Sequence, residues 1–180
     1  MYIKKNIVLF FLFFSLIVFI SSCVEVKFEQ PQPAGTEAEK VFPADLQGTY
    51  IDENNDTLIV NDVTYRFGTG KTIFNGGGEL SENLILKKYK KYYFLSEKND
   101  SLWNIIVVKL KNKNDLKVFI IDGENKEKIE ELKKITNVKE RYKSEGEIDY
   151  YIINPDKKEL KKMLRKKIFT EIGTFKKISK

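Results

Sequence analysis

The sequence predicts an α+β domain: an antiparallel β meander or partly closed barrel, followed by two helices with an intervening hairpin. Three observations carry this reading. Between Leu46 and Asp122, short runs of β-favouring residues recur, separated by Asn-, Asp- and Gly-rich clusters with turn chemistry. Past Asp122-Gly123 the apolar period becomes helical, with Ile129, Leu132, Ile135 and Thr136 on one face. Asn154-Pro155 then sets a capping residue before a proline, whose fixed φ suits the first helical position.

Leu46 to Ile51 opens the meander. Thr57 to Val60 and Val63 to Phe67 follow, separated by Asp52-Glu53-Asn54-Asn55-Asp56 and by Asn61-Asp62. A strand over Lys71 to Phe74 precedes the breaker Asn75-Gly76-Gly77-Gly78. Leu84 to Tyr89, Tyr92 to Glu97, Leu102 to Lys111 and Leu116 to Asp122 continue the series, with turns at Lys98-Asn99-Asp100 and Asn112-Lys113-Asn114. In Leu102 to Leu110 both alternate sets are apolar: Trp103, Ile105 and Val107 on one side, Leu102, Ile106, Val108 and Leu110 on the other. Such a strand is covered on both faces. A helix from about Asn125 pairs Glu130 with Lys134 on its outer face. Val138 to Lys143 and Glu147 to Ile153 form a hairpin across Ser144-Glu145-Gly146. The second helix, capped by Asn154, carries Leu160, Met163, Leu164 and Ile168 as its apolar stripe. Gly173 ends or follows it, and Thr174 to Ile178 reads as a last short strand.

With 42% hydrophobic and 13% aromatic residues, the chain has the composition of a globular protein despite its charge. Basicity is concentrated at the C-terminal end: Asp156 to Lys180 holds ten Lys or Arg against three acidic residues. Lysine dominates the basic residues, and Arg occurs at 66, 141 and 165. The single cysteine excludes an intramolecular disulfide.

That cysteine, Cys23, closes the N-terminal segment. Lys4 and Lys5 precede the run Ile7 to Ile20, in which Ser15 is the one polar residue, and small residues follow. The order charged, apolar, small is that of a secretory signal, and the run is short for a span, which takes roughly 20 residues. Ile20-Ser21-Ser22-Cys23 resembles the lipobox of bacterial lipoproteins. The resemblance implies cleavage between Ser22 and Cys23, acylation of the Cys23 thiol, and attachment of the mature chain to a membrane through lipid. Residues 1–22 are then a signal peptide. Residues 23–45, with Pro31, Pro33, Gly35 and Pro43, are expected as the lipidated cysteine and a flexible tether. Residues 46–180 are expected as one globular domain, β-rich over 46–122 and mixed over 123–180. Val24 is not the aspartate that retains lipoproteins at the inner membrane in the familiar sorting pattern, so the outer membrane is the expected location. Nucleic acid is not an expected partner for an exported chain.

Histidine is absent, which excludes Ser-His-Asp and Cys-His catalysis, histidine-ligated zinc and a histidine pH switch. Carboxylate-pair, Ser-Lys and oxygen-ligated metal chemistries find no supporting spacing, and no cofactor or metal is expected. Gly68-Thr69-Gly70-Lys71-Thr72 imitates the end of a phosphate-binding loop, but Tyr65 stands where the first glycine belongs. Asp52-x-Asn54-x-Asp56 imitates a calcium loop, with Thr57 and Val63 in place of its glycine and glutamate, and reads as a turn. Asp56-Thr57-Leu58 and Asp100-Ser101-Leu102 resemble the O-glycosylation signal of some exported Gram-negative proteins, which makes Thr57 and Ser101 candidate acceptors. Leu46-Gln47-Gly48-Thr49-Tyr50 resembles the Gly-x-Trp start of lipocalin-like barrels, with Tyr50 replacing the tryptophan. That resemblance implies a cavity for an apolar ligand, near which Tyr50 and Trp103 are the candidate residues.

The expected function is that of a non-enzymatic, membrane-anchored envelope lipoprotein with a binding or assembly role; the alternative is a lipocalin-like carrier of a small apolar ligand. Lys158, Lys161, Lys162, Arg165 and Lys166 lie off the apolar stripe of the second helix. They are the candidates for contact with an anionic surface or an acidic envelope partner.

Overall fold

The computed structural model describes residues 24–69, 76–112 and 114–179. The expected signal peptide, Ser22, Cys23 and the expected strand Lys71 to Phe74 lie outside these residues. The described chain folds in the order β1 (Glu25–Phe28), β2 (Gly48–Ile51), β3 (Thr57–Val60), β4 (Thr64–Gly68), β5 (Gly76–Glu79), β6 (Leu84–Tyr89), β7 (Tyr92–Asn99), β8 (Leu102–Lys111) and β9 (Asp115–Ile120). Helix α1 (Lys126–Lys133), β10 (Val138–Tyr142), β11 (Ile148–Ile153), α2 (Lys157–Arg165) and β12 (Thr170–Ser179) complete it.

These strands form one mixed sheet in the order β10-β11-β1-β8-β9-β12-β2-β3-β4-β5, which branches at β8 to carry β7 and then β6. Strand β7 runs along one edge of β8, while β1 meets the other edge at Trp103 and β9 takes it from Val107 to Lys111. Consecutive β5 and β6 are joined by no ladder among the described residues, so the sheet stays open.

The protein is therefore mostly β, which corrects the expected α+β arrangement. The helices span only eight and nine residues and cover one part of the sheet. Two strands, β1 and β12, bring both ends of the described stretch into the sheet. Ten-residue β12 lies between β9 and β2 and absorbs the segment from Thr170, with Gly173 at an irregularity in its ladder with β9 rather than at a helix end.

The expected tether is also corrected. Val26 and Phe28 alternate inward, and β1 pairs in parallel with β11 from Glu25↔Tyr150 to Phe28↔Ile153. Beyond it, the Lys87 ammonium donates to the carbonyls of Pro31 and Pro33, both at 3.2 Å. Burial of that ammonium lowers its pKa. Gln32 is fully buried, Glu39 N–H donates to Leu86 O at 2.8 Å, and Phe42 N–H to Asp62 O at 2.6 Å. The prolines break regular structure here, but the carbonyls beside them are used.

Smaller boundaries shift for local reasons. The glycines expected as a breaker form β5 on β4, from Gly76 to Glu79. Strand β7 extends to Asn99, and the turn falls on Asp100, whose φ of 55° an aspartate tolerates. Helix α1 is capped by the Asn125 side chain, while its lysines pair one residue closer than expected, Lys133 with Glu130 and Lys134 with Glu131. Helix α2 is capped by Asp156, which accepts from Lys158 N at 2.7 Å and Glu159 N at 2.8 Å, and Glu159 reciprocates at Asp156 N. Asn154 is drawn away from the expected cap by Gln30 and Glu29, at 2.6 and 3.0 Å.

Two apolar cores result. The first joins Val26, Phe28, Phe94, Trp103 and Val107 to Ile129 and Leu132 of α1 and Leu160 and Met163 of α2. The second lies on the opposite face of β7 and β8 and gathers Tyr50, Val60, Leu86, Tyr93, Leu95 and Leu116. Gly123 seats β1 in the first core: a Cβ there would lie 2.1 Å from the carbonyl oxygen of Val24. Gly123→Ala must therefore displace the start of β1, and it is expected to cost about 1–3 kcal/mol, the range for overpacking. Urea unfolding would measure this, and hydrogen exchange should show the loss first at the β1–β11 ladder.

Candidate functional site

The alternation that gives β8 two apolar faces also builds a pocket. Ile106 and Val108 point into the second core, and Leu116 and Val118 of β9 continue that face. Tyr93 and Leu95 of β7, Leu86 of β6, Leu58 and Val60 of β3, and Tyr65 and Phe67 of β4 meet them. Strands β3, β4 and β6 to β9 can line one space only if the open sheet curls around it. Phe175 of β12 closes one side and packs edge-to-face on Phe67, with ring centroids 6.0 Å apart. Phe42, from the segment expected to be a tether, and Leu46, expected to open the first strand, supply the remaining wall.

The space measures about 260 Å³, and its exposed wall is entirely apolar. An apolar cavity of about 150 Å³ already admits benzene. The pocket therefore matches one ring or a short alkyl chain and is too small for a whole two-chain lipid.

The tyrosines around it stay neutral. Tyr50 is fully buried, its hydroxyl donates to Leu46 O at 2.8 Å, and desolvation, aided by the charge of Asp45, pushes its pKa up to about 12. Burial likewise raises Tyr65, with Glu97 adding to the effect. Tyr93 is raised chiefly by burial; its hydroxyl lies 3.3 Å from both carboxylate oxygens of Asp45, and the Lys88 ammonium stands 4.9 Å over its ring. The hydroxyls of Tyr50 and Tyr93 are thus tied to partners, and the wall presents hydrocarbon and ring faces. The arrangement can bind an apolar group.

The residues singled out from the sequence fall in different places. Tyr50 belongs to the core behind the pocket and does not line it. Trp103 faces the other core, across the thickness of β8, with the Lys98 ammonium 5.9 Å over its ring. Thr57 opens β3 half-buried, and Ser101 is exposed in the β7–β8 turn. Lys158, Lys161, Lys162, Arg165 and Lys166 are all exposed on or just after α2, and the Lys166 ammonium lies 3.9 Å from a Glu131 carboxylate oxygen. The Asp52 carboxylate accepts from the backbone N–H of Asn54 and Asp56 at 2.9 and 2.8 Å, which closes the turn between β2 and β3. Of the phosphate-loop imitation, Gly68 ends β4, and Gly70 to Thr72 lie outside the described residues.

Sequence reasoning missed the pocket-lining residues themselves. The signal was present as period-2 apolar pairs, Leu58/Val60, Tyr65/Phe67, Tyr93/Leu95 and Ile106/Val108, but alternation marks a buried face without saying whether the space above it is filled. No protein-family profile, curated protein or solved structure matches this chain.

Proposed function

We propose that this protein is held on a cell-envelope membrane, the outer one, by lipid on Cys23, and that it acts there without catalysis as a binding protein for a small apolar ligand. The observation that supports binding is the apolar pocket of about 260 Å³ inside the curled sheet. Burying an apolar group against such a wall contributes roughly 25 cal/mol per Å² removed from water, and the wall has no polar group that must be desolvated in exchange. The anchor rests on Ile20-Ser21-Ser22-Cys23 and the apolar run before it, and the choice of membrane on Val24. The carrier role agrees with the likeness of Gly48-Thr49-Tyr50 to a lipocalin-like strand start. The basic face of α2 is a second contact surface, suited to anionic headgroups or an acidic envelope partner, because Lys158, Lys161, Lys162, Arg165 and Lys166 are all exposed on or just after one short helix.

Cys23→Ala should abolish incorporation of labelled palmitate into the protein in growing cells; label persisting on the variant would overturn the anchor.

For the pocket, a neutral apolar probe such as naphthalene should raise the melting temperature, since ligand at about 100 times Kd stabilises by roughly 2.7 kcal/mol. Val108→Phe, which fills the space, should remove that rise even though it alters the baseline stability. An equal rise in the variant would place the probe elsewhere. Trp103 is the wrong reporter, because it faces the other core.

For the basic face, replacing Lys158, Lys161, Lys162 and Lys166 together with glutamine should leave the melting temperature nearly unchanged and weaken binding of the Cys23→Ala protein to anionic vesicles. Sedimentation at low and high salt would measure it, because charges are screened within about 10 Å at 0.1 M.

A further inference from the structure

Strands β8 and β9 carry a second recess on their outer face, back to back with the apolar pocket, of about 490 Å³. Its floor is apolar: Val107 and Phe169 are buried, and Phe119 and Leu164 are half-buried. Its rim is cationic, with Lys109, Lys117, Lys128 and Lys167 against the single carboxylate of Glu171.

The charges of this rim are poorly balanced within the protein. Lys109 and Lys117 are directly opposite one another in the β8–β9 ladder, where like charges repel at close range. Glu171 relieves one of them: its carboxylate oxygens accept from the Lys117 ammonium at 2.8 and 2.6 Å, which holds the carboxyl below the usual range. The Lys128 ammonium donates to the backbone carbonyl of Lys167, which fixes its position and leaves its charge in place. Lys109 and Lys167 make no ion pair among the described residues.

We infer that this recess is a second ligand site, for an amphiphilic anion: one carboxylate or phosphate group carried on a short alkyl or aryl body. Each half of the recess requires its half of the ligand. An inorganic anion would satisfy the lysines but leave Phe119, Leu164 and Phe169 against water. A neutral apolar molecule would cover that floor and leave the lysines unneutralised; the inner pocket, whose wall is wholly apolar, suits it better. Because alternate residues of β8 serve the two spaces, Val107 and Lys109 outside, Ile106 and Val108 inside, one pair of strands sorts ligands by charge.

The experiment uses the full chain in phosphatidylcholine nanodiscs, with methyl NMR of Val107 and Leu164 reporting the outer recess and of Val108 and Leu116 the inner pocket. Octanoate should shift the Val107 and Leu164 signals saturably, and 1-octanol should shift the inner pair in preference. Lys109→Gln with Lys167→Gln should weaken octanoate about tenfold, equivalent to about 1.4 kcal/mol, and leave the octanol response unchanged. A free amphiphile and a lipid headgroup are told apart by replacing part of the phosphatidylcholine with phosphatidylglycerol. Outer-pair shifts that appear with phosphatidylglycerol alone, and vanish in the double variant, identify a headgroup as the anion; shifts that need octanoate identify the free form. Equal octanoate affinity in the wild type and the double variant, or octanol acting on Val107 and Leu164 as strongly as octanoate, would overturn the inference.

Discussion

Strand β8 has to be apolar on both faces, and the rest of the structure depends on that constraint. Phe94 and Val107 are fully buried on one side of the β7–β8 pair, while Tyr93 and Leu95 are buried on the other. Each fully buried side chain of this size contributes about 1.5–3 kcal/mol, so the two cores together stabilise a sheet that has no closed ladder around its circumference. A slip of one residue in β8 would exchange the inward and outward sets, moving Lys109 toward the inner pocket and Val108 toward the cationic recess. Register in this strand therefore fixes both the packing and the chemistry of the two spaces.

The segment from Glu29 to Leu46 does for the open side of the sheet what a ladder would otherwise do. Its contacts reach Ile153 O at one end and Asp62 O, in the turn between β3 and β4, at the other, with Leu86 O of β6 between them. It thereby links β6 to the far strands of the curl, across the gap where β5 and β6 do not pair. Phe42 and Leu46 turn inward along the way and become part of the pocket wall. A stretch poor in regular structure is held by carbonyls, one half-buried lysine and two apolar anchors.

What could be read from the sequence was local. The meander from Thr57 to Val60 and from Leu84 to Lys111 was visible because alternation and turn chemistry act over a few residues, and the two-sided pattern of Leu102 to Leu110 marked the central strand. The pairing of β1 with β11 was not visible, because it joins residues more than 120 positions apart. Only Val26 and Phe28 advertised it. The length of β12 was hidden for a similar reason: Thr170 to Gly173 is short and glycine-bearing, and it pairs with β9 across an irregular ladder. The cap of α2 was locally legible, since Asp156-x-x-Glu159 has capping-box spacing, whereas the engagement of Asn154 by Glu29 and Gln30, more than 120 positions away, was not. For the candidate site, residue types were legible and the enclosure was not, since a void depends on how seven strands curl rather than on any one of them.

Strand β1 begins two residues after Cys23 in the chain, and it is wedged in parallel beside β11 with Gly123 pressed against Val24. Tension applied at Cys23 along the strand axis would reach the fold through this short ladder, loading its rungs together in shear instead of opening them in succession. Glu29 N–H, bonded to Ile153 O at 3.0 Å, adds a further rung at the far end. A domain attached through Cys23 as proposed would have little slack: its tilt and its stand-off distance from the surface would be dictated by the direction of one strand, as a bracket rather than a leash.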